Sequence, residues 1–282
     1  GEVYQRYSFL PRIRATYNVS DNFYIRYQGQ IYSNTPDLAN MNNVEQVIDS
    51  LQLRRGNPNL KISTIYNNTI NASYQKGMFT CNFFFLYQYI HRPVMEETLR
   101  EGDLFIRTFD NQQSGQKLNP EVEVKFGPIK NFLSFAFTTG YNYFNSKGNN
   151  YHHVYTNWYY HASVSLSYKK WSTQFEWQRN NNNFYGETLS FGENYHLLSV
   201  NYKLKKLTLG LLALNPFSDS YKVGNQNFSA LAPSKNWQHI NGSSRLFSLR
   251  ISWNFSFGRK YESAEKRLNN EDTNAGTLKS GK

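Results

Sequence analysis

Apolar and polar residues alternate without a break from Phe247 to Phe257. Phe247, Leu249, Ile251, Trp253, Phe255 and Phe257 fall on one parity, and Ser248, Arg250, Ser252, Asn254 and Ser256 on the other. Successive strand side chains point to opposite faces, so a strand here has one wholly apolar and one wholly polar face. A membrane-crossing β-strand needs about 9–11 residues, apolar toward lipid and polar toward a wet lumen, with aromatics at the interface. This segment meets those terms.

The same period recurs upstream. Phe9, Pro11, Ile13, Ala15 and Tyr17 alternate with Leu10, Arg12, Arg14 and Thr16. After the turn composition Ser20-Asp21-Asn22, Phe23, Ile25 and Tyr27 alternate with Tyr24, Arg26 and Gln28. A hairpin through Gln75-Lys76-Gly77 leads to Phe79, Cys81, Phe83 and Phe85, with the lone Cys81 on the apolar face. Asp103 to Phe126 reads as one long strand, or as a strand bulged at Gly115, ending in Val122, Val124 and Phe126 against Glu121, Glu123 and Lys125. Further strands follow Gly127-Pro128-Ile129-Lys130-Asn131, Lys169-Lys170 and Lys205-Lys206, about eleven in all. Helical periodicity is absent. The chain is therefore expected to be all-β, an antiparallel transmembrane β-barrel over 1–258. The polar tail over 259–282 is expected to be flexible. Arg12, Arg14, Arg26, Glu121, Glu123 and Arg250 take the polar parity and are predicted to face the lumen.

Connection lengths orient the chain. Short turns near Asp21, Lys76, Pro128, Lys170 and Lys205 alternate with longer polar segments at 34–60, 92–102, 146–153, 180–192 and 216–243. Outer-membrane barrels have short periplasmic turns and long extracellular loops. This puts the last strand descending toward the periplasm, with the tail there. Single-chain bacterial barrels have even strand numbers, so an odd count in a chain that starts at Gly1 reads as a processed or excised piece.

Composition fits this picture. No stretch of about 18 apolar residues exists, which excludes helical membrane spans. Yet 22 Tyr and 21 Phe are many for so polar a chain, as expected when only every second strand residue must be apolar. The net charge of +11 raises the question of nucleic acid. The basic residues are scattered over strand ends, turns and tail, however, with no stripe, and no nucleic-acid partner is expected. One cysteine provides neither a disulfide framework nor a Cys-based metal site.

Three segments carry a family resemblance. Phe9-Leu10-Pro11-Arg12 through Tyr32 is followed by Gly56-Asn57-Pro58-Asn59-Leu60-Lys61; Leu214-Asn215-Pro216-Phe217 opens the last long loop; Ser252-Trp253-Asn254-Phe255-Ser256-Phe257-Gly258-Arg259-Lys260 closes the barrel. Together they resemble the C-terminal barrel half of TonB-dependent receptor-like proteins of the Bacteroidetes type. In that family a Gly-Asn-Pro-x-Leu-Lys sequence closes an extracellular loop. The usual Arg-Pro of the second strand stands here as Thr35-Pro36. The resemblance implies half of a 22-stranded plugged barrel in the outer membrane, touching lipid on its outside. It also implies a plug domain upstream, a TonB partner, a bulky nutrient ligand and a surface lipoprotein partner. A non-transporting structural or adhesive barrel is the alternative, and a soluble all-β protein a weaker third.

Catalytic chemistry is not evident. There is no glycine-rich phosphate loop and no Gly-x-Ser-x-Gly elbow, and no enzyme activity, cofactor or metal is expected. His152-His153 reads as a solvated loop pair, and His161 with Glu176 as lumen hydrogen bonding rather than an acid–base pair. Lipid-facing packing explains most of the aromatics. Tyr151, Tyr155, Trp158, Tyr185 and Trp237, in or near the long loops, are the candidate ligand-binding residues.

Overall fold

The computed structural model describes residues 9–218, 221–240, 245–255 and 257. The 259–282 tail lies outside these residues. β1 (Arg12–Ser20) and β2 (Phe23–Asn34) form the first hairpin. A four-residue helix (Leu38–Met41), β3 (Gln46–Val47) and β4 (Gln52–Arg54) occupy the next connection. β5 (Ser63–Lys76) pairs with β6 (Phe79–His91), and β7 (Val94–Glu101) with β8 (Leu104–Asn111). β9 (Ser114–Ile129), β10 (Leu133–Lys147), β11 (His152–Tyr168) and β12 (Trp171–Arg179) then run back and forth. β13 (Asn183–Tyr185) and β14 (Thr188–Ser190) precede β15 (Tyr195–Leu204) and β16 (Leu207–Leu214). β17 (Tyr221–Asn227) and β18 (Ser234–Ile240) lead to β19 (Leu246–Trp253).

Eleven of these strands form one antiparallel sheet, in the order β1-β2-β5-β6-β9-β10-β11-β12-β15-β16-β19. That is the number expected from the alternation, although three local readings need correction. Asp103 to Phe126 is two strands in different sheets, because Gln112-Gln113 breaks the extended run and sends β8 into the loops and β9 into the main sheet. The last strand stops at Trp253: its partner β16 begins at Leu207, and the Asn254 amide closes the ladder on the Lys206 carbonyl. The long connections are not merely polar loops. They build two four-stranded sheets, β3-β4-β8-β7 and β13-β14-β17-β18.

The two faces of the main sheet behave oppositely. Ile13, Leu249 and Ile251 are each at least 65 % exposed, where a soluble sandwich would bury this parity as its core. On the polar face, in contrast, side chains bond from strand to strand. Ser73 donates to Asn82 and Asn82 to Glu123, at 2.6 and 2.7 Å, along one register row. The compact apolar cluster (Phe144, Phe184 and Leu189, with Tyr155, Phe191 and Phe228 against it) lies where the loops meet the polar face of β10 and β11.

Candidate functional site: a loop vestibule over the polar face

Strand length explains why the loops can build a roof. The 15 to 17 residues of β9, β10 and β11 reach about 50 Å, more than a tilted strand needs to cross roughly 25 Å of hydrocarbon. The surplus stands at the long-loop end and carries Lys117, Asn119, Phe144 and Tyr155 on the polar face. Lys117 Nζ sits 5.3 Å from the Phe144 ring.

The loops interlock over this surplus. β4 from one loop adds in parallel to β8 from another. The Gly56-Asn57-Pro58-Asn59-Leu60-Lys61 segment latches the pair. The Gly56 and Asn57 amides donate to the Asn42 and Asn40 carbonyls, at 2.9 and 2.8 Å, and the Lys61 amide donates to Asn111. A Cβ at Gly56 would fall 2.6 Å from the Asn40 carbonyl oxygen, so only glycine permits this approach. The two loop sheets are joined by Arg107 donating to Ser234 and by Thr188 donating to Glu96, both at 3.2 Å.

Between the sheets lies a cluster of carboxylates and rings. Glu97 and Glu187 are almost wholly buried, and one carboxylate oxygen of each has no hydrogen-bond partner among the described residues. Burial pushes the Glu187 carboxyl up to about 7, with the charges of Glu96 and Glu97 adding to the effect. Burial likewise raises Glu97. His153 Nε2 lies 3.6 Å from Glu187, and its ring stacks on Tyr151 at 5.2 Å. Burial pushes the Tyr151 phenol upward and the Tyr185 phenol up to about 12, so both are hydrogen-bonding hydroxyls at neutral pH. Glu97 also lines a cavity of about 410 Å³ with Arg55, Asn57 and Asp110. Among the described residues no group of three or more His, Cys, Asp or Glu side chains has an arrangement that could hold a metal ion.

Residues 3–257 match the profile of the Outer membrane protein beta-barrel family. The chain belongs to that family. No protein of curated function matches it. The barrel is similar to the siderophore receptor PirA from Pseudomonas aeruginosa at 13 % identity and a TM-score of 0.56, covering 82 % of this chain and 41 % of that one. It is similar to the copper transporter OprC at 10 % identity and a TM-score of 0.63, covering 86 % and 40 %. It is also similar to the ferric enterobactin receptor PfeA from Pseudomonas aeruginosa in complex with BCV-L6, at 14 % identity and 0.59, covering 87 % and 40 %. The chain thus spans about two fifths of the length of these solved proteins and shares the fold of that part of them. The family places it in the outer membrane.

In this outer-membrane barrel the five loop aromatics do not converge on one pocket. Tyr151 donates to the Glu96 carbonyl, and the Tyr155 ring stacks on Phe184 while its hydroxyl accepts from Asn182 at 2.7 Å. Trp237 stacks on Phe191 at 4.3 Å, with Lys235 beside both rings. Tyr185 lines a cavity of about 600 Å³ with Pro36, Asp37, Ser63 and Val94. Trp158 sits apart, on the outer face against Tyr141. The predicted lumen residues share the polar face. Arg12 and Arg14 donate to Gln28, and Arg26 to Thr16. Glu123 pairs with Lys125 at 2.9 Å, Glu121 accepts from Tyr159, and Arg250 stands opposite Gly210. His161 faces Gln178 rather than Glu176, which instead accepts from Gln174.

The alternation gave no warning of Glu96, Glu97 and Glu187, or of Phe184 and Phe228. One signal was present: Leu104-Phe105-Ile106-Arg107 is itself strand-like and could have been separated at Gln112-Gln113.

Proposed function

We propose that this chain supplies the C-terminal barrel strands of an outer-membrane receptor that takes up a bulky nutrient with energy delivered through TonB. The observation that carries this reading is the receptor-like eleven-stranded sheet roofed by interlocked loops. The short turns lie in the periplasm with the 259–282 tail, and the vestibule faces outward, where a surface lipoprotein partner covers it. Arg12, Arg14, Arg26, Glu121, Glu123 and Arg250 meet a plug in the lumen. Tyr151, Tyr155, Trp158, Tyr185 and Trp237 remain the aromatic ligand candidates, Tyr185 foremost because it lines a cavity.

Strand direction supports completion by further polypeptide. β1 and β19 both run toward the short-turn end, so direct closure would make a parallel seam in an otherwise antiparallel sheet. A second copy of the chain meets the same obstacle. An odd number of strands from outside residues 9–257 restores antiparallel pairing on both edges.

Growth of a strain lacking the protein tests the reading. Ferric chelates, cobalamin, oligosaccharide and peptide are each made limiting, with and without a disrupted TonB system. Loss of growth on one nutrient, restored by the gene only when TonB is intact, supports uptake. Unimpaired growth on all four, with lost surface adhesion, identifies a non-transporting barrel.

A further inference from the structure

Three of the five short turns place a lysine against local preference. Two-residue hairpin turns need positive φ, which Gly and Asn adopt most cheaply. Here Lys169 and Lys205 open two-residue turns at φ of 53° and 46°, and Lys130 opens the three-residue Lys130-Asn131-Phe132 turn at 45°. Lys170 and Lys206 are the second residues of those two-residue turns, and Lys76 precedes the Gly77-Met78 turn. The five short turns thus carry six lysines against the single carboxylate of Asp21. A strained residue repeated at equivalent positions implies that its charge has a use.

The turns form one rim. The Ser167 amide donates to the Phe132 carbonyl, Lys203 to Lys170, and Asn254 to Lys206, at 2.7 to 2.8 Å. Alternate strands put successive turns ~10 Å apart. Between the Lys130 and Lys169-Lys170 turns, on the lipid-facing side, lies a cleft of about 450 Å³ lined by Phe132, Leu166, Tyr168, Trp171 and Thr173. Lys169 Nζ lies 5.2 Å from the ring of Tyr168, one of these lining residues, and Trp171 packs on Tyr202. An apolar cleft on the lipid-facing side, bounded by two turns that carry Lys130, Lys169 and Lys170, suits one molecule, a glycerophospholipid with an anionic headgroup.

We infer that the cleft between the β9–β10 and β11–β12 turns binds an anionic phospholipid, its phosphate held by Lys130, Lys169 and Lys170 and its chains against Trp171 and Leu166. Naming the leaflet as the periplasmic one rests on the orientation proposed above; the binding does not. Native mass spectrometry of the protein purified from outer membranes in mild detergent tests it, with phosphatidylglycerol and phosphatidylethanolamine of identical chains added in equal amount. Wild type retains phosphatidylglycerol preferentially, and inorganic phosphate does not compete. At roughly fivefold per lysine at a charged lipid surface, the triple Lys130→Gln, Lys169→Gln, Lys170→Gln variant loses at least about tenfold of that adduct. The Lys→Arg triple keeps it. Equal retention of the two lipids by wild type, or an unchanged adduct in the Gln variant with its heat-modifiable folded band intact, overturns the inference. Preferential binding in a protein whose Lys170 turn labels from the cell exterior retires the orientation alone.

Discussion

Gly140 offers a sharp test of the register on the polar face. It stands opposite Tyr159, whose ring lies flat across it. A Cβ at Gly140 would come 2.6 Å from Tyr159 Cε1 and overlap the end of the ring. Gly140→Ala must therefore lift the ring away. That breaks the bond Tyr159 donates to Glu121 at 2.5 Å and the one it accepts from Asn119 at 3.1 Å, inside a buried cluster. One charged and one neutral hydrogen bond are together worth roughly 2–4 kcal/mol. Ordinarily alanine is no worse than glycine in a strand, so the sign itself is diagnostic. Denaturant unfolding of the full protein in detergent, followed by tryptophan fluorescence and by the heat-modifiable band, measures the cost. In a Tyr159→Ala background the same Gly140→Ala change should cost less than ~0.5 kcal/mol, because nothing remains to displace. Additive costs in the double-mutant cycle would refute both the register and the proposed role of the ring.

Three further outcomes are expected. Leu249→Arg should cost roughly 2–4 kcal/mol of barrel stability, whereas Trp253→Arg, ~13 Å along the strand toward the interface, should cost at most about 1; equal costs would deny the outer face its bilayer. A cysteine at Asn225 should label in intact cells and one at Lys170 should not, the reverse pattern inverting the barrel. The third concerns Glu187, whose folded-state pKa of about 7 lies above the ordinary 4.5. Its burial therefore carries no penalty below about pH 4.5, and destabilises the loops progressively as pH rises from 4.5 to 7. Protection factors of the β13–β14 amides should fall across that window in wild type and stay flat in Glu187→Gln; identical slopes would show that another group titrates.

The main sheet was legible because lipid takes the place of a protein core. Each strand from Arg12–Ser20 to Leu246–Trp253 needs only a period of two, and every residue carries that information locally. Parity alone also put Arg12, Glu121, Glu123 and Arg250 on one face, and it could have put Trp158 on the other, since Trp158 shares the parity of Tyr160 and Ala162. The vestibule was not legible, because its contacts join residues far apart. The parallel pair of β4 with β8, the Gly56 latch on Asn40 and Asn42, and the bond from Arg107 to Ser234 depend on how four loops meet once the strands have set their anchor points. Burial of Glu97 and Glu187 is likewise a property of that meeting. Short-range alternation determined the barrel; long-range register, which no single segment encodes, decided what stands over its polar face.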